Sequence, residues 1–117
     1  MTRDEARALF AASGLDYSVL TAENLRRLIA CINEAMKASG SMRGTFRMLP
    51  GLGLRGPSAA FLRCKSDYFT GREAVSFNAD GFIGFAGWAD NKNVQPILSG
   101  FARWVEEMAA LQQSQAA

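Results

Sequence analysis

A two-layer α+β domain is the fold class this sequence predicts, with the element order ααββββα and all three helices on one face of a four-stranded antiparallel meander. Three observations carry it. Apolar residues recur at helical spacing near both ends of the chain. Between residues 42 and 65 the pattern changes to alternation. The stretch Asn78-Ala79-Asp80-Gly81, set between Phe77 and Phe82, has the chemistry of a short hairpin turn. At 117 residues, with 49% apolar and 21% charged side chains, the chain fits one folded domain spanning residues 1–117.

The elements follow in order. Thr2 and Glu5 have capping-box spacing, and Ala6, Leu9 and Phe10 share one face of a short helix that Gly14 is placed to end. A longer helix starts near Thr21. Its stripe is Leu25, Leu28, Ile29, Ile32 and Met36, and Gly40 closes it.

In the first strand Met42, Phe46 and Met48 alternate with Arg43, Thr45 and Arg47. In the second, Ala60, Leu62 and Cys64 alternate with Phe61, Arg63 and Lys65. Val75 and Phe77 mark the third, and a fourth runs from Phe82 to about Trp88. A last helix carries Val94, Ile97, Leu98, Phe101, Val105, Met108 and Leu111, with Asn91 or Asn93 as cap and Pro96 tolerated only in the first turn. Residues 110–117 lose the apolar signal and are expected to fray.

Gly51-Leu52-Gly53-Leu54-Arg55-Gly56 spells the glycine fingerprint of dinucleotide-binding proteins. That fingerprint acts by turning the chain from a strand into a helix N-terminus, whose free N–H groups meet the pyrophosphate. Here Gly56 is followed by Pro57 and an alternating segment, so the required helix is missing. No Lys-Ser or Lys-Thr follows to make a P-loop. The reading that survives is a connection between strands. As a second alternative, Gly51, Gly53 and Gly56 could offer backbone N–H groups, with the Arg55 guanidinium, to an anion or small ligand.

Much chemistry is excluded outright. The chain has no histidine, which removes Ser-His and Cys-His catalysis and imidazole metal sites. Its two cysteines cannot make a four-thiolate zinc site, and they read as reduced core thiols. No enzyme activity, cofactor or metal is expected. The charged N-terminal stretch lacks a signal-peptide core and no apolar run approaches the ~20 residues of a membrane span. The expectation is a cytoplasmic protein with no membrane partner.

Charge is unevenly distributed. Residues 43–72 hold Arg43, Arg47, Arg55, Arg63, Lys65 and Arg72 against Asp67 alone, while the chain as a whole carries +2. Strand alternation predicts Phe46, Met48, Leu62 and Cys64 toward the helices. Arg43, Arg47, Phe61, Arg63 and Lys65 are then expected on the open face, with Phe82 and Trp88 as further apolar anchors. Arginine and aromatic residues are the types that dominate binding energy at interfaces. The leading expectation is therefore a small non-enzymatic interaction protein that binds a protein partner or a second copy of itself. A single-stranded nucleic-acid module on the same face is the alternative, since cations track phosphates and rings stack on bases.

Overall fold

The computed structural model describes residues 1–40, 45–47, 54–55, 58–64, 75–78, 80–81, 83–85 and 94–116. Helix α1 spans Arg3–Ala12, and α2 spans Ala22–Ala38. The strands are β1 Thr45–Arg47, β2 Leu54–Arg55, β3 Ser58–Cys64, β4 Val75–Asn78 and β5 Ile83–Phe85. Helix α3 spans Gln95–Ala116.

This corrects the expected architecture in three respects. A simple four-stranded meander does not form. The described residues hold five short strands, in the order β1-β3-β4-β5, and β2 also pairs with β3 instead of taking its own place in the path. The three helices do not share one sheet face either, because α1 packs chiefly on α3. Helices and antiparallel strands in separate segments remain compatible with α+β in the coarse sense.

Short strands follow from the sequence. Glycine and proline recur between residues 44 and 57, a composition that disfavours long strands. The close seat of α1 on α3 has an equally local cause. A methyl group at Gly100 would lie 2.5 Å from Ala6 Cβ, 2.7 Å from the Arg3 carbonyl oxygen and 2.8 Å from the Arg7 nitrogen. Only glycine lets the two backbones approach so closely.

The helix ends obey their capping signals. Thr2 Oγ1 accepts from Glu5 N, and Glu5 Oε1 accepts from Thr2 N, completing the capping box. Those bonds to Thr2 hold the exposed Glu5 carboxyl below the ordinary carboxylate range. Thr21 Oγ1 accepts from Asn24 N at the start of α2, and Gly14 and Gly40 take positive φ beyond the ends of the first two helices.

Asn91 and Asn93, the expected caps of α3, lie outside the described residues. The helix begins at Gln95, with the Val94 carbonyl accepting from Leu98 N, so Pro96 falls in the first turn. At its far end the helix continues to Ala116. Gln112 Nε2 donates to Ser18 Oγ at 3.2 Å and tethers this turn to the loop between α1 and α2.

The core is aromatic at its centre. Phe10 meets Phe101 edge-on at 5.2 Å and stacks on Trp104 at 5.8 Å. Phe77 of β4 meets Phe101 at 5.7 Å, and Tyr17 lies edge-on to both Phe77 and Trp104. All five rings are buried. Such pairs contribute roughly 0.5–1.5 kcal/mol each beyond the burial of their area. They tie α1, the following loop, α3 and the sheet into one cluster, while Leu25, Leu28, Ile32 and Met36 line the buried side of α2.

The hairpin turn packs on this cluster. Gly81 has φ +96°, and its N–H donates to the Asn78 carbonyl while Asp80 N–H donates to Asn78 Oδ1. A methyl group at Gly81 would come within 2.6 Å of Ala109 Cβ, so the turn presses against α3.

Candidate binding surface

The pairing register sets which sheet positions share a phase. Ala59 stands opposite Phe77, and Phe61 opposite Val75; Phe77 and Val75 in turn stand opposite Ile83 and Phe85. Ala59, Val75 and Phe77 are buried, so this is the phase that meets the helices. The other phase includes Ser76, Asn78 and Gly84, all partly exposed.

The expected basic-aromatic surface is divided by this register. Arg47 stands opposite Leu62, and Arg55 opposite Ser58, both in the phase of Ser76 and Asn78. Phe61 and Arg63 occupy the other phase, with Ala59, and Phe46 stands opposite Arg63. The expected phase of the second strand, with residues 60, 62 and 64 toward the helices, is therefore reversed. The physical reason is that Ser-Ala-Ala-Phe-Leu-Arg-Cys is apolar on both alternations, so periodicity alone cannot choose. Phe77, held by Phe101 and Tyr17, fixes the choice through its pairing with Ala59.

Arg43, Lys65, Phe82 and Trp88 lie outside the described residues, as do Gly51, Gly53 and Gly56. The part of the glycine segment that is described forms β2, in register with the start of β3. Only residues 56 and 57 separate Arg55 from Ser58, and strand β3, not a helix, follows them. The sequence signal for β2 was the Gly56-Pro57 pair itself, a turn dipeptide that implies a partner on each side.

Helix ends offer one further concavity. An open cleft of about 590 Å³ lies where Thr2, Arg3 and Asp4 meet Gln95, Pro96 and Ser99. Its helix-terminal donors are poorly suited to an anion. Glu5 N and Thr2 N are already engaged in the capping box, and Pro96 has no N–H. Asp4 adds a negative charge at the rim.

Titratable groups with clear shifts point to structure. Burial pushes the Cys31 thiol up to about 11, which favours the protonated form of a side chain packed against the core. Burial also raises the Tyr17 phenol, with Asp16 and Asp80 adding to the effect. Glu107 accepts from Arg7 at 3.2 Å and pairs with Arg103 at 3.4 Å on the partly exposed side of α1 and α3. No group of three or more potential metal ligands occurs among the described residues. No helix among them is long and apolar enough to cross a membrane.

Sequence reasoning missed the residues that organise this framework. Asn24 is buried, and its Nδ2 donates to the carbonyls of Asp16, at 2.6 Å, and Val19, at 3.0 Å. Tyr17 and Trp104 are core aromatics outside any expected stripe. Helical periodicity could have found Trp104, which lies three residues after Phe101. Nothing periodic marks Tyr17 in its loop.

Compared with protein-family models, curated proteins and solved structures, the chain matches none of them.

Proposed function

We propose that this chain is a non-enzymatic interaction protein that engages an acidic protein surface through the sheet phase holding Arg47, Arg55, Ser76 and Asn78. One observation carries the reading. The ladder register brings two cations of the basic segment into the same phase as partly exposed small polar residues, away from buried Ala59, Val75 and Phe77. Residues 43–72 supply a local excess of positive charge, so electrostatic complementarity selects an acidic partner and speeds its approach.

Arg43 and Lys65 belong to the same charge excess, and Phe82 and Trp88 are its candidate apolar anchors from the sequence. The register leaves Phe61 and Arg63 out of the reading. The free thiol of Cys31 fits the reducing conditions of a cytoplasmic protein.

Amide chemical shifts followed during titration with an acidic, tyrosine-containing peptide test the proposal. Shifts should concentrate at residues 47, 55, 76, 78 and 84, and Arg47→Glu with Arg55→Glu should weaken binding at least about tenfold. Shifts confined to α1 and α3 would overturn it. Tighter binding of a mixed single-stranded oligonucleotide, lost steeply as salt rises, would assign the surface to nucleic acid instead.

A further inference from the structure

Asp80-Gly81 is the one Asp-Gly step in the chain, and Asn-Gly does not occur. The pair lies in the turn between β4 and β5, with Asp80 exposed and Gly81 partly buried at φ +96°. An aspartyl carboxyl followed by glycine can react with its own backbone, because no side chain shields the next amide nitrogen. In this turn that nitrogen is engaged. The Gly81 N–H donates to the Asn78 carbonyl at 3.2 Å, the long end of the range for such bonds, and Asp80 N–H donates to Asn78 Oδ1 at 3.0 Å.

We propose that Asp80-Gly81 is a site of spontaneous isoaspartate formation, gated by opening of this turn, and that the product forces the turn away from α3. The Gly81 nitrogen attacks the Asp80 carboxyl carbon and closes a succinimide ring, while the amide proton and the carboxyl hydroxyl leave as water. Water then adds back. Attack at the side-chain carbonyl restores aspartate. Attack at the main-chain carbonyl breaks its bond to the Gly81 nitrogen, and the chain then runs through the Asp80 side chain. Water is the only co-reactant, and nothing is oxidised or reduced.

The fold sets both the rate and the outcome. While Asn78 holds the Gly81 N–H, the nitrogen is not presented to the carboxyl, so reaction waits for local opening. The product lengthens the backbone by a carbon where there is no room for it. A single methyl group at Gly81 would already lie 2.6 Å from Ala109 Cβ and 3.6 Å from the Tyr17 hydroxyl. Close-packed contacts of this kind take up an extra carbon only by moving apart. The inference concerns the turn alone and does not rest on the function proposed for the sheet face.

Ageing the full chain at neutral pH in heavy-oxygen water, followed by digestion and electron-transfer fragmentation, tests the inference. Heavy oxygen and the isoaspartyl linkage should both appear at Asp80, at least about tenfold faster in denaturing urea than in buffer. Asn78→Ala, which removes the side-chain acceptor of the turn, should speed the reaction in buffer and leave the rate in urea unchanged. Aged protein should show a second unfolding transition at lower urea, in proportion to its isoaspartate. Asp80→Glu aged alongside should show neither the label nor that transition, since its ring would be larger and closes far more slowly. Should Asn78→Ala misfold, the unaltered chain in buffer and in urea still decides. Absence of label at Asp80 in both solvents, equal rates in the two, or an isoaspartyl form as stable as the parent would each overturn the inference.

Discussion

Replacing Gly100 with alanine tests the packing of α1 on α3, and two opposing effects set the magnitude. In an exposed helix interior, glycine to alanine stabilises by about 1 kcal/mol, because glycine loses the most backbone freedom on folding. At Gly100 the added methyl meets Ala6 Cβ at 2.5 Å, the Arg3 carbonyl oxygen at 2.7 Å and the Arg7 nitrogen at 2.8 Å. Non-bonded carbon atoms prefer about 3.5–4.0 Å, so the helices must separate by roughly 1 Å. Two of the three obstructing atoms are backbone, and a rotamer change in α1 cannot relieve them.

Moving α1 outward draws Phe10 away from Phe101 and Trp104, and gaps of this size forfeit a quarter to a half of the dispersion contact. Overpacking costs typically about 1–3 kcal/mol. After the propensity gain is subtracted, Gly100→Ala should destabilise the fold by about 1–2 kcal/mol, lowering Tm by roughly 4–10 °C for a chain of this size. Urea and thermal denaturation followed by circular dichroism measure it. A variant as stable as the parent, or more stable, would refute the close approach of the two helices.

Other substitutions and conditions probe the remaining supports. Gly14→Ala, at φ +71° in open space, should cost only the backbone strain of about 1 kcal/mol, whereas Gly81→Ala adds the 2.6 Å approach to Ala109 and should cost measurably more in the same denaturation assay. Asn24→Ala strips donors from the carbonyls of Asp16 and Val19 and should destabilise by about 1–3 kcal/mol; a smaller loss in urea titration would mean that the loop holds itself.

Alkaline pH should destabilise the protein in two overlapping steps. Cys31 and Tyr17 both have folded values above their ordinary ones, near 9 and 10, so the unfolded chain gives up its protons first. Their contribution to stability is complete below those values. It falls as pH rises toward the folded ones, about 11 for Cys31. Denaturation midpoints across this range measure the loss, and Cys31→Ala should abolish the earlier step.

Legibility in the sequence followed the strength of local signals. The capping box at Thr2 and Glu5, the Thr21 cap and the left-handed glycines at 14, 40 and 81 are chemical necessities of single turns, and the structure contains them. The α2 stripe was equally clear, since its polar face opposes one apolar side.

What could not be read depends on contacts between distant segments. No local pattern announces that Gly100 admits α1, that Gln112 reaches Ser18, or that Asn24 secures the preceding loop. Leu111, which extends the apolar stripe of α3, is 58% exposed because that stripe outruns the core beneath it. Nor could alternation alone orient β3, whose two phases are both apolar. One residue of slip exchanges its faces, and the expected site changed with it.

Thiol labelling at single introduced cysteines, in a Cys31→Ala, Cys64→Ser background, tests the orientation of the sheet most directly. The account predicts rapid maleimide reaction for Arg47→Cys and Arg55→Cys and slow reaction for Phe61→Cys, with the helical circular dichroism unchanged. Rapid reaction at position 61 with protection at 47 and 55 would contradict it.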